Sequence, residues 1–267
     1  EIPPFTAGWV RYIIAVAFFL VFLVVTKQWI TPSREQWKII TAIGFLSTFL
    51  YQAFFMYGMK WTAAGDASLM ITFNPVFTAI LAVPFLGEKF DIRLGAGLFF
   101  AVCGVVVIAW FSPNVDLPVK ERLLGDALIG LSALSWACTT ILMKKAMSGE
   151  NPMSPLHLTV WSSAVGLLIQ TPAVVWEYSQ VGFPTDANIE SWSWLAFLAI
   201  FSTVLSYVWF ADGIRIIGAG RSAMYVYLVP IFGILSGWLI LDEKLGISLV
   251  ASFILIAGGV YLAQSKQ

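Results

Sequence analysis

Histidine occurs once in this chain, at His157, and charge is scarce, with 11% of residues being Asp, Glu, Lys or Arg against roughly 25% in an ordinary soluble domain. One histidine leaves His-based metal sites and catalytic triads almost no material. The 15 basic and 15 acidic side chains balance to a formal charge of zero, so no bias points to nucleic acid. Both cysteines, Cys103 and Cys138, fall inside apolar stretches, where two small core residues are a better reading than a disulfide or metal pair. The chain has no G-x-x-x-x-G-K-[ST] run to cradle phosphates, which sets aside pumping driven by nucleotide hydrolysis. No metal and no cofactor is expected.

What the chain has instead is apolar length. It is 59% hydrophobic, and windows of about 20 residues, enough to span a hydrocarbon core, recur at about 5–26, 37–59, 64–86, 92–111, 124–146, 156–176, 192–214, 219–241 and 246–264. This predicts an all-α polytopic membrane protein with nine visible helices and a lipid bilayer as its solvent. Breakers such as Thr31-Pro32-Ser33 and Asn151-Pro152 stand in the short connections. The chain starts at Glu1 without methionine, already beside a window, and reads as lacking a segment upstream. Arg11, one to two turns into the first window, has two readings: a side chain that snorkels to the surface, or an anion contact near a pore mouth.

The windows are not independent. A shift of 155 residues, the distance from Gly58 to Gly213, also pairs Ala64-Gly65 with Ala219-Gly220, Pro75 with Pro230, Phe77 with Phe232, Glu88-Lys89 with Glu243-Lys244 and Gly104 with Gly259. Matches of Gly, Pro and Glu-Lys in one register over two helices and a loop indicate an internal duplication. Five windows separate equivalent positions, so the copies have opposite orientations in the membrane, as in secondary transporters built from inverted repeats. The expectation is two inverted five-helix repeats, ten transmembrane helices in all with the first missing: residues 1–112, a linker 113–123, and residues 124–267.

Lys27, Arg34, Lys38, Lys89, Arg93, Lys144, Lys145, Arg215, Arg221 and Lys266 fall on one side. Arg11, Lys60, Lys120, Arg122 and Lys244 fall on the other. Ten against five makes the first side cytoplasmic, and with the missing helix both termini lie there.

The five-plus-five plan, Pro75 and Pro230, the "LGEK" and "LDEK" loops, and Gly104 with Gly258-Gly259 resemble the EamA branch of the drug/metabolite transporter superfamily. The resemblance covers essentially the whole chain. It implies a secondary transporter of a prokaryotic inner membrane, exporting small metabolites such as amino acids by alternating access, with multidrug or lipophilic-cation efflux as the alternative. A monomer is expected, with a small molecule as its partner.

Polar side chains deep in the windows are the candidates for substrate contact, because hydrocarbon tolerates them only when partnered. Gln52, Asn74, Trp136, Tyr207 and Tyr225 are expected to line a central pocket. Amide and phenol groups would orient the substrate, while ring faces would accept aliphatic, aromatic or cationic parts. Met70, Asn74 and Phe77 share a helical face, as do Tyr225, Val229 and Phe232. Pro75 and Pro230 clash with the carbonyls of Ile71 and Val226 and weaken their helices there, which makes them candidate gating hinges. Glu88, Lys89, Glu243 and Lys244 sit at helix ends, and their expected role is to tie short loops to neighbouring helices. An intramembrane enzyme would need a nucleophile with a base or facing carboxylates, which the windows lack. A channel shares the composition but not the need for kinked, duplicated helices.

Overall fold

Helix boundaries follow the local chemistry. Pro3-Pro4 opens α1 (Pro4–Val25) with proline at its first position. Ser33 and Gln36 form a capping box at the start of α2 (Arg34–Gly58), while Ser154 and Pro155 open α6 (Pro155–Val181). The remaining helices are α3 (Ala64–Leu86), α4 (Ile92–Phe111), α5 (Val119–Ser148), α7 (from Ile189 to Ile217), α8 (Leu228–Leu241) and α9 (Ile247–Gln264). This computed structural model describes residues 2–87, 92–111, 118–148, 151–182, 184–185, 187–217 and 228–264, and no strand occurs among them.

Six helices among the described residues are long and apolar enough to cross a membrane by length and composition. Shorter apolar stretches occupy Gly95–Gly104, Val229–Leu241 and Ile247–Gly259. Apolar side chains such as Val21, Val24, Leu239 and Ile240 are exposed. That surface is costly in water and neutral in lipid.

Two windows differ from expectation. α5 starts at Val119, ahead of the apolar window, because its first turns carry Arg122 and Asp126 one turn apart, both buried. A hydropathy window cannot see a charged but packed turn. α3 is divided into Ala64–Ile71 and Asn74–Leu86.

The compact units do not follow the sequence halves, and each draws on both. One comprises Glu1–Ala53 with Leu142–Gly218, the other Phe54–Ile141 with Ala219–Gln267. In the first unit, Ala15, Phe19 and Leu23 of α1 pack with Val160 of α6 and Val204 of α7. Ile40 and Ile43 of α2 pack with Met143, Ala146, Met153 and Leu158. α2 and α6 approach backbone to backbone: a Cβ on Gly44 would stand 2.5 Å from the Ser162 carbonyl oxygen, and one on Gly166 would collide with Thr48. Small residues at such a crossing are what brings membrane helices close. His157 ties a connection down, its Nε2 donating to the Gln28 carbonyl at 2.6 Å while its Nδ1 stands in hydrogen-bond contact with Ser154 Oγ at 2.5 Å.

In the second unit, Leu69, Phe73 and Val76 of α3 meet Ala101 of α4 and Leu249 and Ile256 of α9. α4 and α9 cross at two glycines. A Cβ on Gly104 would meet Ile256 at 2.5 Å and the Ser252 carbonyl at 3.0 Å, while one on Gly259 would meet the Gly97 carbonyl at 2.5 Å and the Ala101 nitrogen at 2.9 Å. The shift that carries Gly104 to Gly259 also carries Gly97 to Ser252 and Ala101 to Ile256. The packing is therefore reciprocal, positions 155 residues apart on α4 and α9 each meeting the other helix.

Candidate functional site

The polar side chains of the first unit are positioned by two interruptions of regular helix. α2 widens into a π segment over Phe45–Leu50 and α7 over Leu198–Leu205, and the 155-residue shift superposes the first on the last six residues of the second. A residue inserted into regular helix advances the side chains that follow by about 100°, and π segments are frequent at functional positions. Tyr51-Gln52 follows one and Ser206-Tyr207 the other, again equivalent pairs. The repeated Ser47-Thr48 and Ser202-Thr203 mark the segments in the sequence, a signal that hydropathy windows pass over. Their hydroxyls bond back to the helix, Ser47 to Ile43 at 2.8 Å and Thr203 to Leu198 at 3.4 Å, an arrangement that bends helices.

Tyr207 meets Tyr12 hydroxyl to hydroxyl at 3.2 Å. Tyr12 is fully buried, and the Arg11 guanidinium stands 5.4 Å from its ring centroid. Tyr51 lies within electrostatic reach of Arg11, Tyr12 and Tyr207. Gln52 is buried with no hydrogen-bond partner for its Oε1, and so is Gln170 of α6 for its Nε2. A Cβ on Gly8 would lie 3.9 Å from Gln170 Oε1, one turn along α1 from Arg11 and Tyr12. Gln52 and Tyr207 stand out in the sequence as polar residues deep in apolar windows, whereas Tyr12 does not, because its partner Tyr207 comes from a helix far away in the chain.

In the second unit the break in α3 lies where Pro75 removes the bond to Ile71. Thr72 and Phe73 bond back only three residues, to Leu69 and Met70, at 3.1 Å each, and Pro75 sits in the first turn of the next segment. Met70 and Asn74 thus stand on separate segments rather than one helical face, yet both reach α5. Asn74 Nδ2 donates to the Ala133 carbonyl at 3.1 Å, and the Met70 methyl lies beside Gly130. Trp136 is half-buried one turn further along α5. Thr139 and Thr140 give their hydroxyls to Ser135 and Trp136 carbonyls at 3.1 and 3.0 Å. Pro230 is buried in α8, while Val226 and Tyr225 lie outside the described residues. Val229 and Phe232 are exposed, whereas Phe77 packs on the core.

Two carboxylates close helix starts that lack a side-chain cap of their own. Glu243 accepts from the Ala64 and Gly65 amides at 2.7 and 3.1 Å, at the start of α3. Glu177 accepts from the Phe5 and Thr6 amides at 3.1 and 2.7 Å and from Thr6 Oγ1 at 2.9 Å. A helix N-terminus offers unpaired N–H groups and a positive dipole end, which suits a carboxylate. Lys244 is exposed, and Glu88 and Lys89 lie outside the described residues. No cluster of metal-ligating side chains occurs among the described residues.

Polar groups set on interrupted apolar helices suit the passage of a small solute, and the comparisons with known proteins agree. An uncharacterized transporter of Bacillus subtilis, YyaM, is 28% identical, covering 97% of this chain and 85% of its own. A probable amino-acid metabolite efflux pump of Escherichia coli is 26% identical, covering 98% and 86%. A protein of known crystal structure shares the fold with a TM-score of 0.70 at 15% identity, over 98% of this chain and 89% of that one. The EamA-like transporter family matches residues 1–110 and 123–264. The chain therefore belongs to the EamA-like transporter family.

Proposed function

We propose that this transporter is a secondary carrier of a prokaryotic inner membrane, working as a monomer without a cofactor, that exports small metabolites such as amino acids by alternating access. The observation that carries the reading is the reciprocal packing of Gly104 and Gly259 on each other's helix. Two copies related by a twofold axis meet in this isologous manner. With an odd number of helices between equivalent positions the axis lies in the membrane plane, the design in which related halves of a carrier expose a site to each side in turn. Similarity to the probable amino-acid metabolite efflux pump favours amino acids over lipophilic cations.

Substrate contact is assigned to Gln52 and Tyr207, which follow the π segments, to Asn74 and Trp136 beside the break in α3, and to Tyr225. Pro75 and Pro230 are the hinges, and the side richer in Lys and Arg faces the cytoplasm. Uptake into liposomes holding the purified protein, preloaded or empty, tests this with radiolabelled amino acids and a lipophilic cation. The expected result is saturable uptake of an amino acid, faster into preloaded vesicles and lost in Asn74→Ala and Trp136→Ala. Flux that neither saturates nor responds to preloading would make the protein a pore and end the carrier reading.

A further inference from the structure

We propose that Arg11, together with the phenols of Tyr12, Tyr51 and Tyr207, anchors the carboxylate of a small substrate. The proposal rests on the carrier reading above and adds the ligand's chemical class and the residue that selects it. All four side chains belong to one compact unit.

Arginine stays charged at any physiological pH, and a charge at this depth in an apolar helix is costly unless it is paired or solvated. Arg11 has no ion pair among the described residues, and its Nε is buried without a hydrogen-bond partner. Glu177, which packs on the same helix, is committed to the Phe5 and Thr6 amides and the Thr6 hydroxyl. The aromatic face of Tyr12 offsets part of the cost. What completes the site is an anion, and a planar carboxylate matches the guanidinium fork with two parallel N–H···O bonds.

The tyrosines suit the same ligand. The Tyr12–Tyr207 hydroxyl contact holds both rings in place, and whichever hydroxyl accepts in it keeps its own O–H to donate to a carboxylate. Gln52, next to Tyr51 in the chain, adds a buried Oε1 that lacks a donor, a suitable acceptor for the ammonium of a zwitterionic amino acid. A lipophilic cation would be repelled here, so the site divides the two substrate classes considered for the carrier.

The test is ligand-induced thermal stabilisation of the purified full-length protein, titrated with the standard L-amino acids, acetate and propionate. The amide of each amino acid that binds is titrated beside it, and Arg11→Gln, Arg11→Lys and Tyr207→Phe are run in parallel. A carboxylate that pairs with Arg11 binds about tenfold or more tightly than its amide. Arg11→Gln is expected to erase that preference by weakening the acid alone, Arg11→Lys to keep part of it, and Tyr207→Phe to reduce it. If Arg11→Gln does not fold, the other two variants carry the comparison.

Equal binding of acid and amide, no binding of any carboxylate, or a loss in Arg11→Gln that weakens both alike would overturn the proposal. Stabilisation by phosphatidylglycerol that needs Arg11, with no carboxylate effect, would assign the site to a lipid phosphate and overturn it too. The liposome assay separates the two readings. Saturable uptake without carboxylate preference removes the anchor and keeps the carrier, whereas Arg11-dependent carboxylate binding without uptake keeps the anchor and removes the carrier.

Discussion

Gly87 and Asp242 hold the same left-handed backbone, with φ of 72° and 53°, and stand 155 residues apart, the spacing at which Gly, Pro and Glu-Lys recur in the sequence. Glycine adopts that conformation without steric cost and an aspartate with some. One backbone conformation thus ends α3 and α8, written with two residues. Asp242→Gly is expected to leave stability unchanged or raise it by up to about 1 kcal/mol, and Gly87→Val to lower it by about 1–2 kcal/mol. Thermal unfolding in detergent measures both, and opposite signs are the expected outcome.

Adjacent glycines in α9 give a sharper contrast. A Cβ on Gly258 meets nothing within 4 Å, while one on Gly259 meets the Gly97 carbonyl at 2.5 Å. Gly258→Ala should be neutral or stabilise by up to about 1 kcal/mol through helix propensity. Gly259→Ala should destabilise by about 1–3 kcal/mol, since backbone has to move. Equal midpoints for the two variants would show that α4 and α9 do not pack as described.

The two capping carboxylates predict a ranking. Glu177→Ala removes three hydrogen bonds from a buried group, and Glu243→Ala removes two from a half-buried one. Each loss should cost about 1–3 kcal/mol, with Glu177 the more expensive. Unfolding midpoints of the two single variants check the order.

Pro75→Ala restores the amide that the break in α3 lacks and favours one continuous helix. If the break is a hinge, equilibrium binding of substrate should survive and the rate of exchange in liposomes should fall severalfold. Unchanged exchange would make the proline a matter of bundle shape alone.

Much of the architecture was legible because membrane helices must be long and apolar, so the windows at 5–26 and 156–176 fall on α1 and α6. The 155-residue recurrence of Gly, Pro and Glu-Lys was legible because those residues stand where geometry constrains them. The π segments were not, since Phe45–Leu50 is as apolar as regular helix and only the repeated Ser-Thr pair distinguishes it. Nor was the grouping of Arg11 with three tyrosines, which depends on α1, α2 and α7 meeting in one unit. The pairing of Glu243 with Ala64 and Gly65 was hidden for the same reason, although all three residues stood out as repeated.

Opposite orientation of the two repeats is the claim on which the mechanism depends, and labelling of the two Glu-Lys loops tests it most directly. Lys89→Cys and Lys244→Cys, each in a chain with Cys103 and Cys138 replaced by serine, would be exposed to a membrane-impermeant maleimide in intact cells and after permeabilisation. The account predicts that position 244 labels in intact cells and position 89 only after permeabilisation. Labelling of both from the same side would contradict the inverted repeat and the alternating-access carrier built on it.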